Sequence, residues 1–234
     1  MRWLLTCLAV AGCASAGPQN TIVGGLMDAG VGRDGGGDGS GSLVTMAQTT
    51  SSTIALGQSF GCVQPPANYT LENSYYRVFT LTDYGVSGTL HVTQVDFAID
   101  TAMAGTGGSQ PGKLNLGTYT GTPGGATLDL SLVTGVSSLD ISIPDGGGAQ
   151  MTVPLAADIA ASANLIVELV IPRGVDQRNK FLIGLSGDGE RQPGYTRGPD
   201  CNTATPVTMQ SVATPGDPFA ILMTVTGTAS TTPN

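Results

Sequence analysis

From residue 74 onward the chain is a succession of short apolar or alternating segments, each closed by Gly, Pro, Asn or Asp. Residues 74–81 (SYYRVFTL) place Tyr75, Arg77, Phe79 and Leu81 on one face of a strand. Residues 90–99 (LHVTQVDFAI) set Val95, Phe97 and Ile99 against Gln94, Asp96 and Ala98, the period of two that marks a half-buried strand. Further strands are predicted at 113–119 (KLNLGTY), 127–133 (TLDLSLV), 138–143 (SLDISI), 150–155 (QMTVPL), 164–171 (NLIVELVI), 180–185 (KFLIGL) and 219–228 (FAILMTVTGT). Residues 156–163 (AADIAASA) read as a strand end and turn between two strong strands. No repeat of 20–50 residues is present, which disfavours a solenoid or propeller. About nine or ten strands at this spacing predict an all-β fold, a single jelly-roll-like antiparallel β-sandwich, with an up-and-down barrel as the alternative. Aromatic residues are only 5% of the chain, too few for the girdles of an outer-membrane barrel.

The first residues follow a different pattern. MRWLLTCLAVAGCASA has one cationic residue, Arg2, an apolar stretch from Trp3 to Val10, and then small residues. That is the outline of a secretory signal, with an A-x-A cleavage site at Ala14-Ser15-Ala16. The apolar stretch is far shorter than the roughly 20 residues of a membrane span. Val10-Ala11-Gly12-Cys13 resembles the lipobox of bacterial lipoproteins. The resemblance implies cleavage before Cys13 and lipid attachment to that cysteine. A Gly-rich stretch follows, including GRDGGGDGSGS, which suits a tether between a lipid anchor and a folded domain. The predicted organisation is a signal peptide at 1–12 (or 1–16 for ordinary secretion), a flexible, disordered tether at 13–50, a β-sandwich domain at 51–229 and a tail at 230–234.

Composition narrows the partners. The formal net charge is −8 and charged residues are 11% of the chain, which disfavours nucleic acid. Cys7 leaves with the signal and Cys13 is the lipid acceptor, so Cys62 and Cys201 remain as an even pair in an oxidising compartment. A disulfide is the natural reading, and two free thiols are the alternative; the spacing matches no zinc motif. The YYRVF segment, the late GYTRGPDC segment and the final ILMTVTGT look like β-sandwich domains of secreted bacterial proteins, in which an early and a late cysteine often pair. That resemblance implies fold and disulfide, and no activity.

Catalytic constellations are poorly supplied. Ile22-Val23-Gly24-Gly25 resembles an activated trypsin-like N-terminus, but GDSGG and a histidine in its proper context are missing. Any Ser-His-Asp triad must use His91, the only histidine, and Gly184-Leu185-Ser186-Gly187-Asp188 departs from the nucleophile elbow at its last position. Glutamate is scarce, and Glu168 is notable because its neighbours in NLIVELVIP are apolar; it either points outward or pairs with an arginine such as Arg77. Arg173, Arg178, Lys180, Arg191 and Arg197 gather late in the sequence, in loops that suit one end of a sandwich. Tyr195 and Arg197, with Tyr75 or Tyr76, form the candidate ligand-binding surface. Asp96 and Asp100 are weak candidates for a structural calcium; no other cofactor is expected. The sequence thus predicts a lipid-anchored protein of the cell envelope, at the outer membrane, or else a secreted or periplasmic one. Its sandwich is expected to be non-catalytic, with a binding or structural role. A carbohydrate-binding module is the alternative and a secreted hydrolase a third reading. Expected partners are the membrane, through the N-terminal lipid, and a glycan or another envelope protein.

Overall fold

The computed structural model describes residues 41–213 and 220–230. Cys13, the signal and most of the expected tether lie outside the described residues. The strands are β1 (Ser42–Ala47), β2 (Ser59–Phe60), β3 (Val63–Gln64), β4 (Tyr69–Thr70), β5 (Asn73–Thr80), β6 (Thr89–Met103), β7 (Ser109–Tyr119), β8 (Val133–Pro144), β9 (Ala149–Ala160), β10 (Asn164–Ile171), β11 (Lys180–Ser186), β12 (Tyr195–Gly198), β13 (Thr203–Thr208), β14 (Ala220–Ile221) and β15 (Met223–Ala229). One sheet runs β1-β15-β6-β11-β14, with β9 on the other side of β6 and β2 on β11; the second runs β13-β12-β5-β10-β7-β8. Every pairing is antiparallel. The fold is the predicted all-β sandwich.

The core forms between the sheets. Phe79, Leu114, Leu116, Leu165, Val167 and Leu169 come from the six-stranded sheet and meet Val95, Phe97, Ile159, Ile183 and Val225 from the other, all buried. Fully burying a side chain of this size contributes about 1.5–3 kcal/mol. The strand alternation read in 74–81 and 90–99 is the one that builds this core.

The stretch 156–163 is the expected strand end and turn: Ala157 and Ile159 stay in step with the buried face of β9 to Ala160, and a turn leads into β10. Besides the unpredicted strands β2, β3, β4, β12 and β13, three segments depart from the sequence reading. Ser42–Ala47, inside the expected tether, is a strand paired with β15. The last predicted strand divides at Leu222, whose amide donates to the Gly184 carbonyl of β11. The largest departure is 127–133, which alternates like a strand but is a strap with a helical turn at Leu130–Leu132. Asp129 Oδ1 accepts from the Ser131 amide at 3.0 Å and the Ser131 hydroxyl at 2.6 Å, which closes a turn where a ladder would need extended backbone.

This strap joins β7 to β8 at one edge of the six-stranded sheet, yet its Leu128 amide donates to the Pro206 carbonyl of β13, the opposite edge. It therefore crosses the outer face of the sheet. Leu128 packs there with Tyr76, Val78, Tyr119, Ile166 and Tyr195 in a second buried apolar cluster. The Cys62–Cys201 disulfide is formed and links residues 139 apart in sequence.

Candidate functional site

On the outer face, Thr208, Tyr195, Tyr76, Glu168, Asn115 and Ser138 are successive cross-strand partners in one row that spans all six strands. The row follows from alternation. Tyr75 and Phe79 of β5 point into the core, so Tyr76 points out; Val167 and Leu169 of β10 point in, so Glu168 points out. Half of the row is hydrogen bonded in series: Ser138 Oγ donates to Asn115 Oδ1 at 2.7 Å, and Asn115 Nδ2 donates to Glu168 Oε2 at 2.8 Å.

Beside the strap this row floors a groove of about 470 Å³. Tyr76, Asn115 and Glu168 provide polar groups, Ser137 and Ser138 lie along β8, and Leu130, Val133, Val136 and Ile166 supply aliphatic surface. Two glycines shape one end of the groove. Gly117 and Gly135 pair across β7 and β8 at a register shift, and a Cβ on Gly135 would meet nothing within 4 Å. A Cβ on Gly117 would come within 2.6 Å of the Thr134 carbonyl oxygen, so that position excludes side chains. Glycine inside a strand often marks such a bulge or open space.

Tyr76 is the unusual member. It is only 2% exposed, and its hydroxyl is shut off from solvent without a hydrogen bond of normal geometry, although the Ser74 and Glu168 side chains are near enough to act on the phenol. Burial, and after it the Glu168 charge, push the phenol well above its ordinary range, so Tyr76 is a neutral O–H. A buried hydroxyl left unpaired costs about 1–3 kcal/mol.

The expected surface of Tyr75, Tyr76, Tyr195 and Arg197 is not assembled. The Tyr75 ring lies in the core and its hydroxyl donates to the Phe60 carbonyl at 3.0 Å. Tyr195 lies beneath the strap, donating to the Gly125 carbonyl at 3.0 Å. Both rings are buried because β5 and β12 are covered on two sides, by the core and by the strap. Arg197 pairs with Glu72 at 2.8 Å and donates to the Ala204 carbonyl. Only Tyr76 reaches the groove.

Arg77 does not pair with Glu168. Its fully buried guanidinium bonds Glu190 at 2.7 Å and the carbonyls of Gln192 and Ile221, fixing the 187–194 loop to β14. Burial pulls the guanidinium below its usual range, and Glu190 pulls it back up. His91 bonds Asp158 at 2.7 Å on the surface, and Ser186 is buried with its hydroxyl accepting from the Asp188 amide. The carboxylate of Asp96 is engaged by Thr152, Gln94 and Thr224, and that of Asp100 by the Gly57 amide. Among the described residues, no three of His, Cys, Asp and Glu gather as a metal site. Sequence reasoning singled out Glu168 and Tyr76 but missed Asn115, Ser138 and the Gly117–Gly135 pair; the glycines within strand-like segments were the available signal.

No family model matches the chain, and no curated protein matches it. Among solved structures, it is similar to the clostridial cysteine protease Cwp84 after propeptide cleavage, with a TM-score of 0.52 at 9% identity, over 80% of this chain and 40% of that one. A second match, at a TM-score of 0.46 and 11% identity, is the crystal structure of the cysteine protease and lectin-like domains of Cwp84, a surface layer associated protein of Clostridium difficile. It covers 69% of this chain and 33% of that one. The chain thus spans less than half of either, and the likeness is one of fold.

Proposed function

We propose that this chain is a lipid-anchored protein of the cell envelope whose β-sandwich is a non-catalytic binding module, with the outer-face groove as its ligand site. The observation that carries this reading is the groove itself: a hydrogen-bonded polar row of Glu168, Asn115 and Ser138 flanked by aliphatic side chains, with open space above Gly135. Binding sites are commonly concave, mostly apolar and furnished with a few convergent polar groups. Its lining residues include one carboxylate, Glu168, and neither histidine nor cysteine. Glycoside cleavage by the usual route requires two facing carboxylates, so the composition of the groove favours binding over turnover.

Attachment through Cys13 is supported by the lipobox-like Val10-Ala11-Gly12-Cys13 and the Gly-rich stretch that follows. Mass spectrometry of the mature N-terminus tests it. A diacylated or triacylated Cys13 is expected, whereas an unmodified chain beginning at Gly17 contradicts it. Ligand capture by the mature protein, compared with a Gly135→Leu variant that fills the groove, tests the site.

A further inference from the structure

We infer that the groove takes a neutral saccharide, held by Glu168 and Ser138 on the polar floor and by the aliphatic residues Leu130, Val133 and Val136 against its C–H face. The inference rests on the groove reading above and adds the chemistry of the occupant.

Three observations lead to it. Glu168 lines the groove and accepts one hydrogen bond from Asn115 at Oε2. The carboxylate therefore retains acceptor capacity for donors brought by a ligand. Ser138 lines the same groove; its hydroxyl donates to Asn115 and keeps lone pairs free to accept. Acceptors placed side by side match the hydroxyl donors of a sugar. Asn115 holds Glu168 in place from one side and is itself held by Ser138, so the acceptor is pre-oriented.

Charge excludes other occupants. The only ionic group lining the groove is a carboxylate, and the chain carries a net charge of −8, so phosphates, uronic acids and acidic peptides are repelled. A divalent cation would require more carboxylate or carbonyl ligands than one glutamate provides. A lipid tail would strand Glu168 in a hydrocarbon environment. A neutral sugar presents hydroxyls to one wall and an aliphatic ring face to the other, which is how the groove divides. Its volume of about 470 Å³ suits a ligand of one or two rings, since small-molecule sites span roughly 300–1,000 Å³.

The test titrates the mature protein with glucose, galactose, mannose, N-acetylglucosamine and their disaccharides by calorimetry. At least one is expected to bind. Glu168→Gln is expected to weaken it by about tenfold, the scale of a hydrogen bond to a charged group, and Ser138→Ala by a smaller factor. Gly135→Leu should abolish binding, with the circular dichroism of all three variants unchanged. Sugar binding that is indifferent to the three substitutions overturns the inference. Galacturonate or a tetrapeptide pool binding instead, and lost in Gly135→Leu, also overturns it while leaving the groove as a binding site. Absence of any Gly135→Leu-sensitive binding across all these probes contradicts the groove reading itself.

Discussion

Tyr76 and Glu168 stand directly opposite each other on β5 and β10, and the Tyr76 hydroxyl is buried between the strap and the sheet without a hydrogen bond. A core position would normally carry phenylalanine there. Tyr76→Phe removes the unpaired oxygen and leaves the ring packing intact. It is expected to raise stability by about 1 kcal/mol, read from urea denaturation. A loss of stability would show that the hydroxyl has a partner in solution.

The two arginine pairs differ in depth and should differ in weight. Glu190→Ala leaves the fully buried Arg77 charge uncompensated and is expected to cost about 3 kcal/mol. Glu72→Ala disturbs the Arg197 pair, whose side chains are 29% and 45% exposed, and is expected to cost less than about 1 kcal/mol. Equal losses in denaturant unfolding would contradict the assignment of Arg77 as the anchor of the 187–194 loop.

Much of this frame is legible in the sequence. The alternation in 90–99 gives the buried face of β6, and the apolar run 164–171 interrupted by Glu168 gives a strand covered on one face and partly on the other. What fails is non-local. Tyr75 and Tyr76 are neighbours with opposite directions, and both are buried because the strap arrives from 50 residues further along. TLDLSLV itself has strand-like alternation, and the Asp129–Ser131 turn overrides it. The site was hidden for the same reason: Asn115, Glu168 and Ser138 are distant in sequence and meet only through strand register.

Reducing the Cys62–Cys201 bond frees a loop of 139 residues of separation. Stability should fall by about 2–5 kcal/mol with reductant, or in the Cys62→Ser/Cys201→Ser variant, measured by urea unfolding. No change would mean that the β12 edge is held without it.

Alkaline pH supplies another check. Burial raises the phenols of Tyr75, Tyr76, Tyr84 and Tyr195 above the ordinary value of 10.0. The folded state keeps these protons while the unfolded state releases them above pH 10. Their stabilising contribution is therefore full below pH 10 and declines as pH rises toward the folded values. Tyrosinate absorbance should lag behind a free-tyrosine titration and appear together with unfolding. Ionisation of all six tyrosines near pH 10 in the folded state would contradict the burial.

The central claim is that ligand enters the outer-face groove. The most direct measurement is an amide NMR titration of the mature protein with the tightest-binding neutral sugar. The account predicts shifts at the Asn115 side-chain amide and at the backbone of Gly117, Gly135, Ser138 and Glu168. Shifts confined to the loops around Arg173 and Arg197, with the groove signals unmoved, would contradict it.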